Sequence, residues 1–180
     1  MIRENEKCFE LSTKNTTYAF RILKNGLPEH LYYGTRINLL KSAENGGEGG
    51  EDRSAVAAIA GKQAFAPGNS LCYSQEDKSF SAEYCGLECS ASGKGDIREP
   101  LVEVTGADGS RTLDFVYESH EISEGKAAFA ELPGSYDETG KVAQLRLVLK
   151  DQWQKLRLEL YYWVYEDCNV ITRSAKLINE

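Results

Sequence analysis

Asp96 and Arg98 are the residues whose types and spacing most directly suggest chemistry. They lie within residues 93–100, which read Gly-Lys-Gly-Asp-Ile-Arg-Glu-Pro. Residues two apart on an extended segment point to the same side, so this carboxylate and this guanidinium can form an ion pair. Such a pair can serve catalysis, but paired charges more often fix backbone geometry. We therefore predict a structural motif of Asp96, Arg98 and Pro100, in which the proline stiffens the entry into a strand.

Cys85 and Cys89 are separated by three residues, a spacing that zinc sites also use. Two further ligands would be needed, and the only histidines, His30 and His120, each stand alone in a strand-like run. We therefore favour a pair of inert cysteines over structural zinc, and we predict no metal and no cofactor. The five cysteines are an odd number, which fits reduced thiols better than a complete set of disulfides.

Four aromatic side chains suggest a carbohydrate-binding surface. Tyr161, Trp163 and Tyr165 alternate along one run and would share one face of a strand, and Trp153 precedes them in the sequence. A flat aromatic row can stack on sugar rings, but the same row also buries well against a second sheet or domain. Because exposed aromatic patches usually mark interfaces, we favour packing over sugar binding and keep both alternatives open.

The charge and hydropathy of the chain argue against two classes of partner. Its 180 residues carry a formal net charge of −7, whereas phosphate binding needs a basic surface. No apolar run approaches the roughly 18 to 20 residues of a membrane helix, and no apolar signal core follows the first residues. We therefore expect a cytoplasmic protein that binds neither nucleic acid nor membranes, with a single domain over residues 1–180.

Alternating apolar and polar residues predict the elements that must position these side chains. The run Leu156 to Tyr165 places leucine, tyrosine and valine on one face and charged or aromatic residues on the other. The run 112–122 also alternates and places His120 on the solvent side. Asn25-Gly26 suits a type I′ hairpin, and residues 166–169 close the long strand. Successive hairpins without a helical stripe predict an all-β fold, an antiparallel β-sandwich.

Two stretches break the alternation, and the last run ends abruptly. Residues 44–52 contain four glycines among acidic residues and are expected to form a mobile loop. Residues 61–95 form a long irregular segment, of the kind that is functional or packed on a partner. Val170 to Ile178 reads as a strand in progress, so we expect an incomplete sandwich that is the first part of a larger protein.

Three segments occur in a fixed order along the chain: Glu29–Gly34 (Glu-His-Leu-Tyr-Tyr-Gly), residues 93–100, and Glu166–Ser174 (Glu-Asp-Cys-Asn-Val-Ile-Thr-Arg-Ser). Together they resemble the N-terminal β-sandwich region of family-36 glycoside hydrolases, the retaining α-galactosidases that act on melibiose and raffinose. The resemblance implies a supersandwich-like fold and a separate catalytic barrel. Both catalytic aspartates of the family belong to that barrel, so the resemblance assigns no catalytic residue here and implies a region that is inactive alone.

The resemblance also implies a supporting role for this region. The domain would pack on its own catalytic barrel, hold a homo-oligomer together, and reach the substrate rim of a neighbouring subunit through a loop. By position, the rim candidates are Lys62, Asp77 and Lys78, where many relatives carry an aspartate and an arginine. A lysine can donate to a sugar hydroxyl but lacks the planar fork of arginine. The alternative function is a free-standing carbohydrate-binding or interaction module.

Overall fold

The computed structural model describes residues 1–40, 59, 73–74, 80–82, 85–129, 133–138 and 140–180. The rim candidates Lys62, Asp77 and Lys78 and the glycine-rich segment 44–52 lie outside these described residues. Of the irregular segment 61–95, the part from 85 onward is described continuously, and it contains bridges and turns but no named strand. Over the described ranges, no helix has the length and apolar character needed to cross a membrane.

Within the described residues, eight strands form two four-stranded antiparallel sheets, ordered β1-β2-β3-β4 and β5-β6-β7-β8. The strands are β1 (Ile2–Asn5), β2 (Cys8–Ser12), β3 (Thr16–Ile22), β4 (Pro28–Thr35), β5 (Phe115–Glu124), β6 (Ala143–Asp151), β7 (Leu156–Tyr165) and β8 (Val170–Asn179). Within each sheet, every strand pairs with its neighbours in sequence, as expected for successive hairpins. Apolar side chains of the two sheets meet in one core. The predicted all-β antiparallel β-sandwich is confirmed.

The long predicted strand is β7, and its bounds are those that the alternation gave. Leu158, Leu160 and Tyr162 point into the core between the sheets, as predicted. The Tyr162 ring stacks on Phe20 of the opposite sheet at a centroid distance of 5.3 Å. Burying such aromatic and leucine side chains contributes about 1.5–3 kcal/mol each, so β7 is a main source of the sandwich's stability.

A β-bulge in β5 makes one prediction wrong: His120 is not on the solvent side. The register with β6 shifts between Tyr117 and Ser119, so one extra residue is inserted in β5. Because side chains alternate, the extra residue moves every later side chain to the opposite face. His120 therefore pairs with Leu147 and lies edge-on to Phe9, with ring centroids 4.9 Å apart.

The hairpin turns also differ in detail from the prediction. A type I′ turn needs positive φ at both central residues. At Asn25-Gly26 only the glycine has it, with φ +85°, so the predicted type I′ turn is wrong there. Glu6 and Lys7 instead have φ values of +48° and +65° between β1 and β2. The Lys7 backbone N–H donates to Glu4 Oε1 at 2.7 Å, which supports this unusual pair of turn residues.

Candidate functional site

A buried carboxylate, Glu88, lies between the two sheets at the centre of a polar cluster. Its side chain is only 1% exposed and accepts hydrogen bonds from the hydroxyl groups of Tyr18 at 2.6 Å and Tyr162 at 2.8 Å. Arg173 Nη2 lies 2.7 Å from the same carboxylate, and His30 Nδ1 lies 3.3 Å from it. We call these five residues the Glu88 cluster.

Both sheets contribute to the Glu88 cluster. Tyr18 on β3 and His30 on β4 belong to the first sheet, and their ring centroids are 4.9 Å apart. Tyr162 on β7 and Arg173 on β8 belong to the second sheet, and the guanidinium carbon lies 5.1 Å from the tyrosine ring centroid. A carboxylate that accepts bonds from both sheets fixes their relative position, because the donors must stay within hydrogen-bond distance.

The protonation state of the two tyrosines follows from their surroundings. Burial raises the pKa of the Tyr18 hydroxyl, and the charge of Glu88 raises it further. The pKa of Tyr162 lies well above its ordinary value for the same two reasons. Both hydroxyls therefore remain donors at neutral pH and suit the carboxylate. A hydroxyl held in its protonated form is a poor nucleophile, so this arrangement supports the fold better than it supports catalysis.

Two segments that stand out in the sequence contribute residues to the Glu88 cluster, but the sequence pattern does not predict the cluster itself. His30 belongs to Glu29–Gly34, and Arg173 belongs to Glu166–Ser174. Glu88 lies in the segment 61–95, whose lack of alternation gave no signal that a charged residue would be buried. Its contacts with His30 and Arg173 span 58 and 85 residues of sequence, so only the tertiary structure brings the three together.

Asp96 and Arg98 form an ion pair that also holds the backbone. Arg98 Nε lies 2.8 Å from Asp96 Oδ1, and Asp96 is 3% exposed at its side chain. Arg98 Nη2 donates to the carbonyl of Ala82 at 2.8 Å, and Nη1 donates to the carbonyl of Cys85. The pair therefore ties the backbone at Ala82 and at Cys85 to the turn that contains Asp96. Pro100 precedes an isolated bridge and not a strand, so the expected strand entry at this proline is wrong.

The turn before Asp96 places Lys94 beside a second buried carboxylate. Lys94 Nζ lies 3.6 Å from Asp114 Oδ2 and 4.4 Å from the ring centroid of Tyr73. The Tyr73 hydroxyl donates to Asp114 Oδ1 at 2.7 Å. Burial raises the pKa of Tyr73, and this hydrogen bond raises it further. Each carboxylate oxygen of Asp114 thus has a partner, Tyr73 for Oδ1 and Lys94 for Oδ2. These contacts link the residue before β5 to Tyr73 and to the turn that contains Lys94.

Cys85 and Cys89 do not share a site. The Cys85 thiol donates to Glu29 Oε1 at 3.3 Å, whereas Cys89 packs in the core between the sheets. Burial raises the pKa of Cys85 to about 12 and that of Cys89 also to about 12, with neighbouring carboxylates adding to the effect. Such thiols are unreactive near neutral pH. No group of three or more His, Cys, Asp or Glu side chains is placed to hold a metal in the part of the chain that the structure describes.

The aromatic row on β7 is covered by the chain's own segment before β6. Trp163 is 3% exposed and Tyr161 is 7% exposed. The Phe129 ring lies edge-on to both, with centroid distances of 5.0 Å to Tyr161 and 5.7 Å to Trp163. These rings pack inside the domain and are not free to stack on a sugar. Trp153 is different, because 77% of it is exposed.

Comparison with known proteins places this architecture in a family. Residues 26–180 match the glycosyl hydrolase family 36 N-terminal domain. The chain is 31% identical over 175 residues to alpha-galactosidase AgaA from Geobacillus stearothermophilus, covering 97% of this chain and 22% of that protein. It is 30% identical to alpha-galactosidase Mel36A from Lactobacillus acidophilus, covering 98% of this chain and 22% of that protein. The chain therefore spans about a fifth of the length of these curated relatives.

Solved structures agree with this result. The fold superposes on the crystal structure of the family-36 alpha-galactosidase AgaB from Geobacillus stearothermophilus with a TM-score of 0.81 and 27% identity. That match covers 99% of this chain and 22% of AgaB. A structure of AgaA in complex with raffinose matches with a TM-score of 0.78 and 30% identity, over 96% of this chain and 22% of AgaA. This chain belongs to the glycosyl hydrolase family 36 N-terminal domain family.

Proposed function

We propose that this chain is the non-catalytic N-terminal domain of an α-galactosidase that hydrolyses terminal α-linked galactose from galacto-oligosaccharides such as melibiose and raffinose. The observation that carries the proposal is the match of residues 26–180 to the family-36 N-terminal domain. The raffinose complex of AgaA, which is 30% identical to this chain over the shared region, supports the substrate class. This domain alone is expected to be inactive.

The chemistry of the proposed reaction needs a second domain. Retaining glycosidases place two carboxyl groups about 5 Å apart, one as nucleophile and one as general acid and base. The buried carboxylates of this domain for which the structure gives partners are instead bound to tyrosine, arginine, lysine and backbone groups. Glu88 binds Arg173 and two tyrosines, and Glu10 accepts the backbone N–H groups of Leu39 and Leu40 at 2.8 and 2.9 Å. In this proposal the catalytic carboxylates belong to the protein's own barrel, on which the sandwich packs.

The sandwich also takes part in assembly in this proposal. The protein forms a homo-oligomer, and Lys62, Asp77 and Lys78 approach the substrate rim of a neighbouring subunit. The cellular location is the cytoplasm, where thiols stay reduced. Among the residues that the structure describes, Cys85, Cys89 and Cys168 form no disulfide, which supports that location.

Activity measurements on two proteins test the function. One is the protein encoded by the whole reading frame, and the other is the 180-residue chain. With p-nitrophenyl α-galactoside and raffinose, the longer protein is expected to release galactose with retained α configuration, and the chain is expected to release none. A longer protein that leaves both substrates intact would overturn the proposal. Galactose release by the chain alone would overturn its non-catalytic part.

The assembly role has its own test. Light scattering coupled to size exclusion is expected to show the longer protein as a homo-oligomer. Replacement of Lys62 and Lys78 by alanine is expected to raise KM for raffinose, whereas the exposed Lys150, replaced in the same way as a control, should leave KM unchanged. A monomeric longer protein, or an unchanged KM in the first variant, would refute the rim role.

A further inference from the structure

We propose that Trp153 and the loop before β5 form a surface site for a neutral hexopyranoside. The site is a shallow pocket of about 570 Å³ at one end of the second sheet. It lies apart from the Glu88 cluster and from the covered aromatic row of β7. Its lining includes Gly106, Asp108, Ser110, Thr112, Trp153 and Gln154. This inference goes beyond the proposed function, because a role in packing or assembly needs no sugar site here.

The Trp153 ring is exposed while its backbone is held firmly. The ring belongs to the turn between β6 and β7, and 77% of the residue is exposed. Asp151 Oδ1 accepts the backbone N–H groups of Trp153 at 2.8 Å and Gln154 at 2.5 Å. Asp151 Oδ2 also accepts the backbone N–H of Asp114 at 2.6 Å, which ties the turn to the start of β5. A large aromatic ring on a fixed backbone loses little freedom when a ligand stacks on it.

Polar groups stand beside the ring on a loop that is fixed in the same way. Asp108 Oδ1 accepts the backbone N–H of Ser110 at 2.9 Å, and Gly106 and Ser110 close the loop with a backbone hydrogen bond of 2.8 Å. A side chain at Gly106 would place its Cβ 2.8 Å from Asp108 Oδ1, so it would displace this carboxylate from its position in the loop. Hydrogen bonds from Ser110 lower the pKa of Asp108, so its carboxylate is an acceptor at neutral pH.

Gln154 completes the set of hydrogen-bonding groups. Its Nε2 lies 3.4 Å from both Ser110 Oγ and the carbonyl of Thr112, which are long hydrogen bonds. Among the residues that the structure describes, no hydrogen bond engages its Oε1 atom or the indole N–H of Trp153. The pocket lining therefore includes an amide acceptor, an indole donor, a serine hydroxyl and a carboxylate, together with one exposed aromatic residue.

These groups match the chemistry of a neutral sugar ring. A hexopyranoside has one face of C–H groups that stacks on an aromatic ring, and its hydroxyls both donate and accept at the edge. The carboxylate of Asp108 and the net charge of −7 disfavour an anionic ligand. A single tryptophan beside a few polar groups in a shallow pocket differs from the broad apolar patch that a protein interface buries. A sugar is therefore the better match than a second protein.

Two measurements on the 180-residue chain locate and quantify binding. The chain contains two tryptophans, and Trp163 is buried, so a nitrogen-15 NMR spectrum gives two indole signals in different environments. Galactose, glucose and raffinose are the probes, and mannitol is the control because it has hydroxyls but no ring. Titration is expected to shift the Trp153 indole signal with a dissociation constant in the millimolar range and to leave the Trp163 signal in place.

Variants separate this site from other surfaces. Calorimetry is expected to show at least about tenfold weaker binding for Trp153→Ala, while Trp153→Phe, which keeps a ring, loses about threefold. Gln154→Ala should weaken binding several-fold. Tyr136→Ala is the matched control, because this tyrosine is 84% exposed elsewhere on the surface, and it should bind as tightly as the parent. Near-ultraviolet circular dichroism checks that each variant is folded.

Three results would overturn the site. They are a Trp153 indole signal that no sugar shifts, a Trp153→Ala variant that binds as tightly as the parent, and a mannitol response equal to that of galactose. If Trp153 becomes shielded only in the longer protein and no sugar shifts its signal, the ring is a packing residue and the proposal fails. Because binding is measured without hydrolysis, a longer protein that lacks α-galactosidase activity would leave this result unaffected.

Discussion

Replacing Glu88 by glutamine removes the buried negative charge that binds residues of both sheets. The side chain keeps its size and one carbonyl oxygen, but it no longer pairs with Arg173, which lies 2.7 Å away. The hydroxyls of Tyr18 and Tyr162 both donate to this group in the native protein. In the variant an amide N–H₂ takes the place of one acceptor, so at least one of these hydroxyls must turn or lose its bond.

The expected loss of stability follows from the burial of the two charges. Removing one partner of a buried ion pair costs about 3–5 kcal/mol, because the other charge is left without compensation. Here Glu88 is 1% exposed but Arg173 is 42% exposed, so the arginine regains part of its hydration. We therefore expect Glu88→Gln to lower the free energy of unfolding by about 3 kcal/mol, at the lower end of that range. A domain of ordinary stability, about 5–15 kcal/mol, still folds after such a loss.

A double-mutant cycle isolates the contribution of the pair. The variants Glu88→Gln, Arg173→Gln and their combination are unfolded in urea, and the free energies are extrapolated to water with a common slope. We expect the double variant to be more stable than additivity predicts by at least about 1.5 kcal/mol, since either single change leaves a charge unpaired. The matched control is Glu118 and Lys150, which are 4.0 Å apart and both half exposed. Their coupling should stay below about 0.5 kcal/mol.

Additive losses at Glu88 and Arg173 would refute this reasoning. A coupling energy no larger than that of the control pair would mean that water screens Arg173 fully, and that the sheets are fastened by apolar contacts alone. If a variant changes the slope of the unfolding free energy with urea concentration, the denatured or native state itself is altered. The measured difference in stability then no longer reports the loss of the Glu88–Arg173 ion pair.

Two further predictions concern a turn and the buried thiols. Gly93→Ala should lower the free energy of unfolding in urea by at least about 2 kcal/mol, and Gly109→Ala by about 1 kcal/mol. Both glycines have φ above +80°, but only at Gly93 would the added Cβ meet another group, Thr112 Cγ2 at 2.8 Å. Equal losses in the two variants would contradict the steric argument. Burial raises the pKa of Cys85 and of Cys89 from 9.0 to about 12. As pH rises, the two thiols therefore lose their protons in the unfolded chain before they do so in the folded protein. Because this ionisation favours the unfolded chain, the free energy of unfolding should fall as pH rises from 9 through 12. Urea unfolding at about pH 8 and about pH 10 measures the fall, and the variant with both cysteines replaced by alanine should show a smaller one.

The sequence alone was sufficient to predict a strand correctly where apolar and polar residues alternate without interruption. In β7, alternation over Leu156 to Tyr165 gave the strand, its bounds and its core face, because each apolar side chain meets the opposite sheet. The turn at residues 166–169 was found for the same reason, since its polar residues interrupt two such runs. These predictions need only local information.

The sequence was insufficient where a single backbone event reverses the alternation. In β5 the same rule placed His120 toward solvent, and one bulged residue after Tyr117 turned it toward Phe9. Polarity gave no warning, because histidine is tolerated on either face. Glu88 is a stronger case: a charged residue is rarely buried unless it is paired, and its partners lie on β3, β4, β7 and β8. Burial of this carboxylate can be predicted only once those four strands have been assembled.

The two tryptophans show why the same residue type leads to opposite interpretations. Trp163 sits on the outer face of β7, where alternation alone would leave it half exposed, but Phe129 covers it. Trp153 follows β6 in a turn whose backbone is held by Asp151, and 77% of the residue is exposed. Burial of each tryptophan thus depends on whether a segment distant in sequence covers it, as the segment around Phe129 covers Trp163. Trp153 lacks such a cover among the described residues, and its exposure makes it available to a ligand. For this reason the sugar site that we propose lies at Trp153, beside Asp108 and Gln154, and not along the covered aromatic row of β7.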